Sequence, residues 1–164
     1  MICYGTESGD DEVLKKNEKG GKATVEQARK AIKWTKEAGI KTWTYWMIGL
    51  IGDNEKTINK TIDLACELDA DICNFSVAAP YLGTRFYKTA KENNWIVDER
   101  WTAFDQNYSA QVSQPDCPVE LVKKMQRKAY LRWYFSWRGI RFVWNSFKLE
   151  YIGYFFKTIL DHVR

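Results

Sequence analysis

Three short apolar runs constrain this chain more than any other feature. Each is closed by a glycine or proline turn, and each is followed by a helical pattern. The runs are residues 2–5, 40–49 and 72–79. The middle one is rich in β-branched and aromatic residues and has no charge after Lys41, which predicts a strand buried on both faces, as in parallel sheets. Thr24 and Gln27 form a capping-box pattern ahead of Ala28, Ala31, Ile32, Trp34, Thr35 and Ala38 at helical spacing, with Gly39 placed for a left-handed cap. Asp53 or Asn54 can cap the next helix, whose apolar side is Ile58, Ile62, Leu64, Ala65 and Leu68. A short helix over 11–19 and another over 85–93 complete the order strand–helix–strand–helix–strand–helix. That order predicts right-handed crossovers and a parallel α/β sheet.

Each strand–helix unit takes roughly 30 residues and a closed eight-unit barrel about 250. A chain of 164 residues is too short for a whole barrel. The longest charge-free apolar run, residues 42–52, has eleven residues, against about 20 for a spanning helix. The start has no basic region leading into an apolar segment. The chain therefore reads as cytoplasmic, with its four cysteines reduced. Cys3, Cys66 and Cys73 read as small buried apolar residues.

Charge divides the chain. Residues 123–164 hold ten Lys/Arg and two Asp/Glu, with twelve of the 25 aromatics, whereas residues 1–122 carry net negative charge. Pro118 suits the first position of a helix, and Leu121, Met125, Ala129 and Trp133 follow at four-residue steps. Gly139 and Gly153 divide the remainder into two further short helices. The predicted division is 1–97 for the α/β part, 98–117 for a connector with a short strand over 109–113, and 118–164 for a basic aromatic helical extension. That extension suits core packing, a peripheral membrane contact or, less well, nucleic acid.

Ligands of parallel α/β sheets bind at the carboxyl ends of the strands. Here these ends offer Glu7 and Ser8 (a carboxylate and a hydroxyl for a sugar diol or amino group), then the Gly49–Gly52 backbone for a flat ring or an anion, then Ala78-Ala79-Pro80-Tyr81. The same residues also read as ordinary turn chemistry. No glycine-rich phosphate loop is present, which weakens an ordinary nucleotide-binding domain. The sole histidine, His162, is two residues from the end, so histidine-paired nucleophiles have no support.

Taken in order, Tyr4-Gly5-Thr6-Glu7-Ser8-Gly9, Lys36-Glu37-Ala38-Gly39-Ile40, Trp46-Met47-Ile48-Gly49-Leu50-Ile51-Gly52 and Phe75-Ser76-Val77-Ala78-Ala79-Pro80-Tyr81-Leu82-Gly83-Thr84 resemble the second half of the radical S-adenosylmethionine (SAM) core. The closest likeness is to the group that often carries a cobalamin-binding domain upstream, and it covers residues 1–97. It implies an α/β fold, a partial (β/α) barrel of which three parallel units are present, followed by the helical extension. It implies that Glu7 and Ser8 contact the ribose and amino-acid part of SAM. It places Ile48, Gly49 and Leu50, with Ala78, Ala79, Pro80 and Tyr81, near the adenine. The family's turn commonly has proline where Ile51 stands and Glu-Thr where Asp53-Asn54 stand.

The family's Cys-x3-Cys-x2-Cys loop, which holds the [4Fe–4S] cluster, is absent here. The resemblance therefore implies a carboxyl-terminal piece of a radical SAM enzyme, inactive alone, whose partner is the amino-terminal half with the cluster loop. The organic substrate is unassigned and the use of cobalamin stays open. The alternative is a degenerate, non-catalytic α/β module that binds a partner or membrane through its tail.

Overall fold

The computed structural model describes residues 1–17, 23–100 and 110–145, excepting the side chain of Asn145. The elements are β1 (Ile2–Glu7), α1 (Asp11–Lys16), α2 (Val25–Glu37), β2 (Thr42–Ile48), α3 (Glu55–Glu67), β3 (Ile72–Val77), α4 (Arg85–Glu92), α5 (Val119–Tyr134) and α6 (Trp137–Asn145). The three strands form one parallel sheet in the order β1-β2-β3. The predicted α/β architecture is observed: it is a partial barrel of three βα units with a helical extension.

Local chemistry accounts for the helix ends. Thr24 caps α2 in a full capping box with Gln27, and Asn54, not Asp53, caps α3 with Thr57 as its box partner. Gly39 takes φ +71° after α2, where a Cβ would be strained. Pro118 sits one residue before α5, as its cap.

The register sorts side chains into two faces, because paired residues of parallel strands point the same way. Thr44 with Cys73, Trp46 with Phe75 and Ile48 with Val77 form the helix-side face. There they join Ile32, Ile58, Ile62, Met125 and Trp133 in one core. Trp46 is fully buried, and its indole N–H donates to Thr44 Oγ1 at 3.0 Å. Burying a side chain of this size contributes about 2–3 kcal/mol.

The other face is different. Trp43, Tyr45 and Met47 on β2 and Ile72, Asn74 and Ser76 on β3 are half-buried, while Cys3 and Gly5 on β1 are exposed. The expectation of a strand buried on both faces is therefore corrected. Helices cover only one side of the sheet among the described residues. Cys3 is likewise exposed, not buried, because it lies on this open face.

The two sheet edges also differ. On β3, the Phe75 N–H donates to Tyr130 Oη at 3.2 Å and its carbonyl accepts from Gln126 Nε2 at 2.9 Å, so α5 satisfies the edge. The outer edge of β1 pairs with no strand among the described residues.

The aromatics of the extension split. Tyr130, Trp133, Tyr134 and Phe142 pack on the core, whereas Phe135, Trp137 and Trp144 stand in solvent. Gly139 does not divide helices. It lies inside α6, where a Cβ would stand 2.2 Å from the Trp133 carbonyl oxygen, so the glycine permits α6 to fold tightly against the end of α5. The expected strand over 109–113 falls partly outside the described residues, and its described part is a bridge between Ile96 and Val112. Gly153 and His162 also lie outside them. Among the described residues, no helix is long and apolar enough to cross a membrane.

Candidate functional site

The three strand ends lie side by side at one end of the sheet, and each is built differently. At β1 the register slips between Gly5 and Glu7, and Glu7 takes φ +61°, a left-handed conformation that costs a non-glycine residue about 1–2 kcal/mol. Ser8 N–H turns back to the Thr6 carbonyl at 2.8 Å. Ser8 is buried. Its hydroxyl lies 3.3 Å from Thr61 Oγ1 and accepts from Asp10 N–H at 3.2 Å. Gly9 N–H donates to Thr61 Oγ1 at 2.9 Å, and a Cβ on Gly9 would lie 2.5 Å from the Lys60 carbonyl oxygen. This loop is thus fastened to α3, and half-buried Glu7 precedes it at the strand end. Asp10 caps α1 and pairs with Lys60 at 2.6 Å. Burial raises its carboxyl, but Lys60 and the Val13 and Glu12 amides outweigh burial and hold it below the usual range.

The β2 turn is held from three directions. Gly49 and Leu50 N–H both donate to Asp53 Oδ2 at 3.0 Å, and Thr57 Oγ1 donates to Asp53 Oδ1 at 2.7 Å. Gln114 Nε2 donates to the Gly49 and Leu50 carbonyls at 3.1 and 3.0 Å, while its Oε1 accepts from Gly52 N–H. Asn17 brackets Ile51 through both N–H and carbonyl. Gly49 takes φ +88°, and a Cβ there would stand 3.2 Å from Val122 Cγ2. Every N–H from Gly49 to Asp53 therefore has an internal acceptor. The turn has shape and apolar surface to offer a flat ring, but no spare N–H for an anion.

Burial pushes the Asp53 carboxyl up to about 6, against the pull of the Thr57 hydroxyl and the Leu50 and Gly49 amides. The side chain of Ile48 is fully buried in the helix-side core, so only its backbone reaches the strand end, and its carbonyl accepts from Ala78 N–H at 2.9 Å. Ala78, Ala79 and Pro80 are buried, while Tyr81 emerges to solvent where Tyr81 N–H bonds the Ala79 carbonyl.

Sequence reasoning does not single out Asp53, Gln114, Asn17 or Thr61 as site residues. Asp53 carries a signal, since it precedes a helix start, but it reads there as a cap. Gln114 and Asn17 are far from the turn in sequence and carry none. Gln111 is buried with both side-chain amide atoms unpaired.

The residues present do not fit a [4Fe–4S] cluster. Among the described residues no three His, Cys, Asp or Glu side chains converge to hold a metal. Burial pushes the Cys73 and Cys117 thiols up to about 12, so neither is a ready thiolate.

No protein-family model matches the sequence. The chain is 29% identical over 133 residues to an uncharacterized methyltransferase of Pyrococcus horikoshii, covering 81% of this chain and 28% of that protein. It is 23% identical over 149 residues to the anaerobic magnesium-protoporphyrin IX monomethyl ester cyclase of Cereibacter sphaeroides, covering 86% of this chain and 23% of that protein. The chain thus spans about a quarter of the length of the curated relatives it matches, and its likeness is to enzymes: one a methyltransferase, the other a cyclase.

Proposed function

We propose that this chain is the carboxyl-terminal part of a radical SAM core, forming one wall of the SAM pocket and of the substrate chamber. The observation that carries the reading is the one-sided sheet. Helices pack on one face, the face that would line a barrel is open, and the β1 edge is unpaired among the described residues. A further parallel strand of the same protein fits that edge. The sequence resemblance and the two enzyme relatives support the same reading.

In this reading SAM supplies the 5′-deoxyadenosyl group that starts radical chemistry on an organic substrate. The residues of this chain bind and orient it. Glu7 accepts hydrogen bonds from ribose hydroxyls or the ammonium group. The Gly49-Leu50 turn, fixed by Asp53 and Gln114, presents a preformed apolar surface to the adenine, and Pro80-Tyr81 borders it. Trp43, Tyr45, Met47, Asn74 and Ser76 line the substrate side, where the Trp43 and Tyr45 rings stack at 5.2 Å. The cluster and its thiolates belong to the amino-terminal half.

The test is the longer in-frame product, reconstituted anaerobically with iron and sulfide and supplied with reductant and SAM. It should release 5′-deoxyadenosine, Glu7→Ala should raise the SAM concentration required, and the 164-residue chain alone should release none. A longer product that holds a cluster yet leaves SAM intact overturns the reading.

A further inference from the structure

Helix α6 packs Phe142 on the core, yet it also leaves large apolar side chains in solvent. Arg138 and Arg141 turn inward: both reach Asp69, and Arg138 also donates to the Cys66 carbonyl. Trp137, Ile140 and Trp144, at i, i+3 and i+7, share one helix face and are 76%, 48% and 80% exposed. Phe135, just before α6, is 79% exposed and extends the patch. Gly139 locks α6 against the end of α5, so the rings are presented on a packed support.

A basic stripe leads along α5 to Phe135. Lys123, Arg127 and Leu131 lie at four-residue steps on the exposed side of α5 and lead to Phe135. Lys123 and Arg127 pair with no acidic side chain among the described residues. Lys124 and Lys128 beside them are exposed and held only by Glu55 at 3.9 Å and Asn59 at 2.7 Å. We propose that this α5–α6 face docks on an anionic lipid bilayer. Phe135, Trp137, Ile140 and Trp144 would enter the headgroup boundary while Lys123 and Arg127 meet lipid phosphates.

Charge complementarity and aromatic anchoring together define an interfacial surface of this kind. Nucleic acid fits less well. The arginines nearest the rings are folded back onto Asp69 and the Cys66 carbonyl, so the cations beside the rings are already engaged within the protein. The inference is independent of the SAM reading, because it uses none of the strand-end residues.

The experiment is co-sedimentation of the 164-residue chain with vesicles of phosphatidylcholine alone or mixed with phosphatidylglycerol. Binding to the mixed vesicles only, weakened by salt, is expected. Lys123→Gln with Arg127→Gln should lower partitioning about twenty-fivefold, at roughly fivefold per cation. Trp137→Ser with Trp144→Ser should abolish binding, and lipids brominated near the headgroup should quench tryptophan emission in the unmodified chain only. All substituted side chains are exposed, so circular dichroism should be unchanged in the variants. Failure of the unmodified chain to bind, equal binding by the variants, or binding to single-stranded RNA in place of vesicles overturns the proposal.

Discussion

Replacing Asp53 with asparagine separates the two roles of this carboxylate. The new side chain would keep an oxygen for the Gly49 and Leu50 N–H groups. The Thr57 hydroxyl, which lies 3.1 Å from the Asn54 carbonyl, can turn its proton there and accept from the new amide. The hydrogen bonds survive and only the titration is removed. Burial raises the carboxyl from 3.8 to about 6, so the folded chain binds this proton more tightly than the unfolded chain does. Stability from this group is therefore fully present below about pH 3.8 and is lost as pH rises through 6. The loss amounts to about 3 kcal/mol. Asp10 and Asp71 are held below the usual range and act in the opposite sense, but both proteins contain them, so they largely cancel in the difference. Urea denaturation from about pH 4 to about pH 7.5 should show Asp53→Asn gaining on the parent by about 2.5 kcal/mol across that window. Parallel stability curves would mean that Asp53 titrates normally and that the turn is not closed to water.

Three further outcomes follow from the same geometry. Gly9→Ala drives a Cβ to 2.5 Å from the Lys60 carbonyl oxygen and should cost about 1–3 kcal/mol in urea denaturation, a loss that an unchanged midpoint would deny. Gln114→Ala strips partners from two carbonyls and one N–H of the β2 turn; it should cost about 1–3 kcal/mol and speed amide exchange at Gly52. Under native conditions iodoacetamide should label Cys3 and spare Cys73 and Cys117, as peptide mass spectrometry can report, because the last two are buried with thiols pushed up to about 12.

Much of the fold is legible in the sequence because its determinants are local. The capping box at Thr24, the left-handed Gly39 and the apolar spacing of α3 and α5 act over a few residues, and the structure carries each of them. The burial of β2 is not legible, for a non-local reason. An apolar strand looks alike whether its second face is covered by the described chain or left for another part of a barrel. Gly49, after β2, reads in the sequence through its own conformation alone, while the side chain packed against it, Val122, comes from α5, far along the chain.

The sequence by itself determined the order of elements, the parallel sheet and the three strand ends that resemble a SAM site. These follow from periodicity, caps and turns, which each segment carries within itself. Only the tertiary structure decided what those ends are made of. Asp53, Gln114 and Asn17 converge on one turn and take up its N–H groups, Ser8 meets Thr61, and helices cover one face of the sheet among the described residues. It also decided which aromatics of the basic extension are core and which are surface, because helical spacing marks a stripe but not the side on which its partner lies.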